Sequence, residues 1–355
     1  MRLVWADVLS IETERPGIQR LIVLLDGGPE GRAICYPPLS GPCEAGDRVL
    51  LNTTAVDLAL GTGGLHLVVS RAGAGEGVEL DDPSGGHVMK LRYTPLQRDV
   101  VAIEAPESPA HALLAEAVDV EGMPVVCCGL HSHVPIVAAA IRERRPDARI
   151  AYVMTDHAAL PLALSDTIAA CSDAGLVDFT VSCGQAFGGT IEAVNLQSGI
   201  VAARHVGGAD VAIVAIGPGV VGTGTALGHG GVAQGEAVNA CAAVGAIPVA
   251  SLRVSFADAR ERHRGVSHHS LIALGRIALG RATVAVPVLP GEQLPRVEDD
   301  LANAGIWARH GRADAECELP DGCGVEFRTM GRGFSDDPAF FLAAAAAGAV
   351  AADLI

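Results

Sequence analysis

The first hundred residues carry a short, broken pattern. Runs at residues 3–11, 18–25, 32–36, 48–53 and 65–71 are rich in β-branched residues or alternate apolar with polar. Turn formers separate them: Asp26-Gly27-Gly28, Pro37-Pro38, Gly41-Pro42 and Gly61-Thr62-Gly63-Gly64. Short strands at this spacing predict a small β-barrel or sandwich. Residues 73–86 are rich in Gly and Asp and read as a loop, and 87–104 as an extended bridge. The first domain is therefore expected over residues 1–105.

Near residue 107 the period changes. Apolar runs of strand length at 124–129, 149–154, 177–182, 210–216, 247–254 and 283–289 alternate with helical patterns at 109–118, 135–145, 161–174, 232–244 and 267–279. Pro135 suits a first helical turn, and Ser267 suits an N-cap. Residues 190–196 and 199–205, flanking Gln197-Ser198, read as a hairpin insertion. The tail predicts a helix over 293–304 and a hairpin over 317–330 turning at Asp321-Gly322. A buried final helix follows, with Asp337 as its cap and Pro338 in its first turn. Alternating strands and helices predict a doubly wound, mostly parallel α/β sheet over residues 106–355.

Polar residues collect at the ends of five of these strands. His131, Ser132 and His133 follow the first, and Thr155, Asp156 and His157 the second. Ser182, Cys183, Gly184 and Gln185 follow the third, a glycine-rich loop the fourth, and Ser255, Asp258 and Arg260 the fifth. Open α/β sheets bind ligands outside the carboxyl ends of their strands, so this convergence predicts a site there.

The glycine-rich loop runs from residue 217 to 231. Gly217, Gly219 and Gly222 match GxGxxG after a strand, followed by Thr223, Gly224 and Thr225. Glycine lets backbone N–H groups approach an anion. A dinucleotide fingerprint would open directly onto a helix and be followed by an acidic residue on the next strand. Here glycines continue to Gly231 and no such acid is evident. A phosphate- or carboxylate-binding loop and simple close packing are the competing readings. No Walker lysine is present.

A second cluster lies at residues 258–270, with Asp258, Arg260, Arg262, His263, Arg264, His268 and His269. Guanidinium forks suit phosphate and carboxylate, and Ser267 starts a helix beside them. The competing reading is a solvated loop paired through Glu261. His131 and His133 alternate, so an extended segment would present both on one side. With Asp156, His157, His229, His263 and His268 they supply ligands enough for a divalent metal, His131, His133, Asp156 and His157 foremost. Acid/base histidines are the rival. His66, His87, His111, His205 and His310 read as structural. Cys183 at a strand end is a weak nucleophile candidate, and Cys127 and Cys128 read as core.

Composition narrows the partners. Over 355 residues, 25 basic against 41 acidic side chains give a net charge of −16, which argues against nucleic acid. Half the residues are hydrophobic, yet no run of membrane-spanning length appears. Nine cysteines at irregular spacing, without a CxxC pair, predict reduced thiols in the cytoplasm. The start, Met-Arg-Leu-Val-Trp-Ala-Asp, has no signal-peptide layout. Lys90 is the single lysine, so anion recognition falls to arginine and backbone.

The stretches Gly-Pro-Gly-Val-Val-Gly-Thr-Gly-Thr and Arg-Glu-Arg-His-Arg-Gly-Val-Ser-His-His resemble a bacterial family, common in actinobacteria, known only as a domain of unknown function. The resemblance extends to residues 89–97. It implies a bacterial cytosolic protein and brings no substrate or cofactor. The residues themselves point to a hydrolase or group transferase for a small anionic substrate. His131, His133, Asp156, His157, Asp258, His263, His268 and His269 would supply the chemistry. Gly217, Gly219, Gly222, Thr223, Gly224, Thr225, Arg260, Arg262 and Arg264 would hold the anion. The cofactor is unassigned, with a divalent metal as candidate, and self-association is open. The alternatives are a nucleotide- or NAD(P)-binding oxidoreductase and a non-enzymatic ligand-binding or scaffold protein.

Overall fold

The structure, a computed structural model, describes residues 1–60, 63–73, 85–320 and 323–355. The chain divides into two compact units, Met1–Val101 and Ala102–Ile355.

In the first unit β1 (Leu3–Arg15), β2 (Ile18–Leu25), β3 (Glu30–Cys35), β4 (Arg48–Asn52) and β5 (Leu65–Arg71) close a barrel in the order β1-β2-β3-β5-β4. The β3–β5 pair is parallel and every other pair antiparallel. Inward positions alternate as the pleat requires: Ala6 and Val8, Leu21 and Val23, Val49 and Leu51 form its core. The loop expected at 73–86 lies largely outside the described residues. The expected bridge contains a small antiparallel pair, β6 (Val88–Lys90) with β7 (Arg98–Val100).

The second unit is built on eight parallel strands: β8 (Pro124–Cys127), β9 (Ile150–Thr155), β10 (Phe179–Cys183), β11 (Ile191–Ala193), β12 (Val211–Ile216), β13 (Ile247–Ala250), β16 (Thr283–Pro287) and β17 (Gly311–Ala315). Their order is β11-β10-β9-β12-β8-β13-β16-β17. Two short strands outside this sheet, β14 (Val254–Ser255) and β15 (Gly265–Val266), pair with each other. Alternate residues of the central strands feed two separate apolar layers. Val125, Cys127, Ala212 and Val214 meet the helices Leu196–His205 and Ala233–Ala243. Val126, Cys128, Ile213 and Ala215 meet the helices Val134–Arg144 and Pro338–Ala352. Strands covered on both faces are apolar throughout, which is why they read as continuous hydrophobic runs. Among the described residues no helix is long and apolar enough to cross a membrane. The final helix is buried almost all round within this unit.

The strand order creates a reversal. From β8 the chain runs outward through β9, β10 and β11, returns to β12 beside β8, and then crosses to β13 on the other side. Loops after β8, β12 and β13 therefore meet at one switch point.

Several expectations change. The hairpin at 190–205 is a short strand and the helix Leu196–His205. Asn195 caps that helix, with Ser198 completing a capping box, so the residues that resembled a turn are its first turn. The strand expected over 247–254 ends at Ala250, and the chain leaves the sheet through Ser251, Leu252 and Arg253 before entering β14. The helix expected at 267–279 is one α-turn, His268–Ile272, followed by a π-turn. No strand is found in the described part of 317–330, where the expected turn residues are not described. Asp337 occupies the N-cap position, but its carboxylate does not cap. It accepts from the Ser255 hydroxyl at 2.6 Å and the Phe256 amide at 3.1 Å instead.

Candidate functional site

The loop after β8 turns at once into a 3₁₀ turn, His131–His133, rather than continuing extended. The two rings consequently diverge. His131 Nε2 pairs with the Ser165 hydroxyl at 2.7 Å, and its Nδ1 lies 3.2 Å from both the Tyr152 hydroxyl and the Ile216 carbonyl. His133 is fully buried, with Nδ1 2.9 Å from the Ser251 hydroxyl and its ring 4.7 Å from that of Phe340. Burial pushes His131 down to about 4 and His133 to about 3, so both are neutral. The expected metal set of His131, His133, Asp156 and His157 does not converge among the described residues.

Asp156 and His157 lie at the end of β9. The Asp156 carboxylate accepts the Gln185 amide at 2.9 Å, and His157 Nδ1 is 3.7 Å from its other oxygen. His157 Nε2 pairs with Glu236 at 2.8 Å. Gly184 has φ +65°, and a Cβ there would sit 2.2 Å from Asp156, so the position is reserved for glycine. Ser182 holds Glu192 at 2.8 Å. Cys183 is buried against Gly199, whose added Cβ would lie 2.4 Å from the sulfur, which makes it core.

The glycine loop divides into two parts. Residues 217–220 line a pocket, whereas Thr223, Gly224 and Thr225 form the exposed tip of a tongue. The tongue satisfies itself: the Thr223 amide and hydroxyl each donate to the Gly228 carbonyl at 2.9 Å, and the Gly228 amide donates to the Thr225 hydroxyl at 3.0 Å. Gly222 pairs with His229 across its base. A helical turn begins only at Gly230, so the loop does not open onto a helix as a dinucleotide fingerprint does.

The pocket measures about 210 Å³. Its wall joins the end of β12 (Gly217, Gly219, Val220) to His131, Ser132, Arg253, Thr329 and Met330. Gly219 has φ +93°, a left-handed conformation that glycine adopts freely.

Arg253 is the residue that sequence reading passed over. It is 3% exposed, and its Nε has no hydrogen-bond partner. Its Nη2 lies 3.6 Å from Asp258 and its Nη1 3.5 Å from His269 Nδ1. Burial pulls it down to about 10, which still leaves it cationic at neutral pH. Arg260, expected to hold an anion, instead donates from Nε and Nη2, one bidentate edge, to the two Asp258 oxygens at 2.9 and 2.8 Å. That pairing holds the Asp258 carboxyl well below its usual range. Arg262 and Arg264 are exposed. Arg332 adds a third guanidinium, 3.9 Å from Asp258 and 3.6 Å from Asp337. Three cations (Arg253, Arg260, Arg332) thus face two carboxylates (Asp258, Asp337). The surplus is one positive charge beside the pocket.

Against Arg253 stands a group of four imidazoles. His229 and His269 stack at 3.9 Å with their planes 3° apart. His268 sits edge-on to both, at 5.2 and 4.5 Å, and His263 approaches His268 and His269 at 5.0 Å. Ser267 caps the His268–Ile272 turn through the His269 amide and also meets His263 Nδ1 at 2.7 Å. Burial first, then neighbouring charges, lowers all four; His263 falls to about 3 and His269 to about 2. The group is neutral at pH 7.

The structure thus brings Gly217, Gly219, His131 and Arg253 to one pocket, with His269 in contact with Arg253. It places Asp156 and His157 in a neighbouring carboxylate-paired cluster with Glu236. A cation inside an otherwise apolar run, as Arg253 is, was the available signal for the missing residue. The chain belongs to the family described as Protein of unknown function (DUF3866), whose model matches residues 32–348. No curated protein and no solved structure matches it.

Proposed function

We propose that this member of the family is an enzyme, a hydrolase or group transferase, acting on a small substrate that carries a phosphate or carboxylate. The observation that carries the reading is Arg253: a buried guanidinium with a bare Nε, on the wall of a pocket whose rim is glycine backbone. Burying such a group without its hydrogen bonds is costly, and an anion in the pocket removes that cost. The pocket's size favours a small molecule. Ser132 and Thr329, 3.2 Å apart, supply hydroxyls for orientation. His269, with Nδ1 3.5 Å from Arg253 Nη1, accepts from the guanidinium and helps to orient it. Nine free thiols support a reducing compartment, and the cytoplasm is the reading that follows.

The test uses the full chain. Inorganic phosphate and acetate are titrated by calorimetry, and turnover is screened with phosphomonoesters, carboxylate-bearing esters and amides. Arg253→Met is expected to weaken phosphate binding by about 10- to 100-fold, the worth of a charge-assisted contact. Arg262→Ala and Arg264→Ala should leave it within about twofold, since exposed charges contribute little. Binding of neither anion, or equal binding by Arg253→Met, removes the proposal.

A further inference from the structure

Beside the pocket the four-histidine group poses a separate problem of unsatisfied polarity. His229 Nε2 lies 3.1 Å from the Ala226 carbonyl. A carbonyl only accepts, so this nitrogen carries the proton, and the neutral ring leaves a lone pair on Nδ1. That Nδ1 is buried and has no partner. His268 Nε2 is likewise buried and without a partner. Leaving a buried polar atom unpaired is costly, and these two bare nitrogens belong to rings in edge-on contact, so one ligand can relieve both. With His269, each ring can bring one nitrogen to within 4.8 Å of the others.

We infer that His229, His268 and His269 form a binding site for a divalent transition metal of zinc-like preference. The donor set is chemically apt: neutral imidazoles need not lose protons before binding. The hydrogen bond from the other ring nitrogen of His229, Nε2, to a backbone carbonyl is the arrangement that orients a metal-ligating ring. Three imidazoles with a free fourth position for water is the pattern of hydrolytic zinc sites. The surroundings keep the approach clear. A Cβ on Gly231 would come within 3.0 Å of His229 Nδ1, and one on Gly222 within 3.6 Å of His269 Nε2.

Binding requires a rearrangement. A ligated metal lies in the plane of each ring, and two parallel rings at 3.9 Å share no common in-plane point. His269 must therefore turn out of its stack and away from Arg253, whose contact at 3.5 Å is a long one. Zinc–nitrogen bonds of about 2.0–2.1 Å then draw the three nitrogens to roughly 3.3 Å apart. Arg253 opposes a dication, and Asp258, 3.6 Å from Arg253, offsets part of that charge. The inference does not depend on what the pocket binds.

The experiment strips the full chain with a chelator and titrates it with Zn²⁺ and, separately, Co²⁺. Calorimetry should show one equivalent bound. Co²⁺ should give the visible absorption of a four-coordinate site of three nitrogens and a water, and Zn²⁺ should raise Tm. His268→Ala, at a half-buried position that tolerates truncation, should weaken binding at least 100-fold while keeping the native circular dichroism. His157→Ala, in the other histidine cluster, should bind as the unaltered chain does. Absence of stoichiometric binding, or equal binding by His268→Ala, overturns the inference. Phosphate titration of the stripped chain separates the two proposals: a chain that binds phosphate but no metal sinks only this one, and a chain that binds metal but no phosphate sinks only the other.

Discussion

Acidification from pH 7 to pH 5 should remove about 4 kcal/mol of stability through two residues alone, His131 and His133. Both are held neutral by burial, at about 4 and about 3 against an unperturbed 6.5. The folded values lie below the unfolded one, so as pH falls the unfolded chain takes up protons first. The stabilisation is complete above pH 6.5 and is lost as pH falls toward the folded values. At pH 5 the unfolded rings are about 1.5 pH units into their titration, and the folded rings have barely begun. At 1.36 kcal/mol per unit, each ring costs about 2 kcal/mol. The result is insensitive to the folded values, since anything well below 5 gives the same sum. His263 and His269 act in the same direction. Carboxylates such as Asp258, held low by Arg260, titrate below this window and do not confuse it. Urea unfolding at half-unit steps between pH 7 and 5 measures the slope. A total fall below about 1 kcal/mol would refute the reasoning. So would an unchanged slope in the His131→Gln, His133→Gln double variant.

Three further outcomes follow from packing and hydrogen bonding. Gly348→Ala places a Cβ 2.5 Å from the Val137 carbonyl and 2.8 Å from Ala140 Cβ, so the final helix must move off Val134–Arg144. A loss of about 2–3 kcal/mol by urea unfolding is expected, and a neutral result would show that the two helices separate freely. Asp337→Asn weakens the acceptor shared by Ser255 and Phe256 and leaves Arg332 with less compensation. It should cost about 1.5–3 kcal/mol by urea unfolding, and an unchanged stability would show that the carboxylate is not needed there. Gln234→Leu removes the amide that donates to the Cys127 carbonyl at 2.8 Å and the Ser251 carbonyl at 2.6 Å. The Cys127 carbonyl keeps the Ser251 amide at 3.1 Å, whereas the Ser251 carbonyl loses its donor; about 1–3 kcal/mol should be lost, with faster hydrogen exchange at the ends of β8 and β13.

The sheet was legible because its chemistry is one-dimensional. A parallel strand covered on both faces is mostly apolar, and 211–216 and 150–154 say so without help from neighbours. The barrel was legible through the opposite pattern, alternation punctuated by glycine. β17 escaped because it is an edge strand of sequence Gly-Arg-Ala-Asp-Ala, half-exposed, with two charges in five residues. The helix at 196–205 escaped because Gln197 and Ser198 suit both a turn and a first helical turn. Only the Asn195 cap decides between them.

The candidate site was legible by place and less so by residue, and the reason is geometric. A strand's carboxyl end is a one-dimensional address, so the loops after β8, β12 and β13 could be named in advance. Which side chains turn inward depends on where each strand stops. A strand running to residue 254 would leave Arg253 as one more position in the sheet. Because β13 ends at Ala250, the next three residues cross beneath the His268–Ile272 turn, and the guanidinium is carried against the pocket. The same four-residue difference decides the fate of the expected basic patch. Asp258 lies close enough to be clasped by Arg260, and Arg253, like Arg332 beside it, keeps hydrogen-bonding capacity to spare; of the two, Arg253 is on the pocket wall. Local charge density in the sequence marked the correct neighbourhood, but burial selected the residue, since a charge is most available to a ligand where solvent and partners have both been withdrawn.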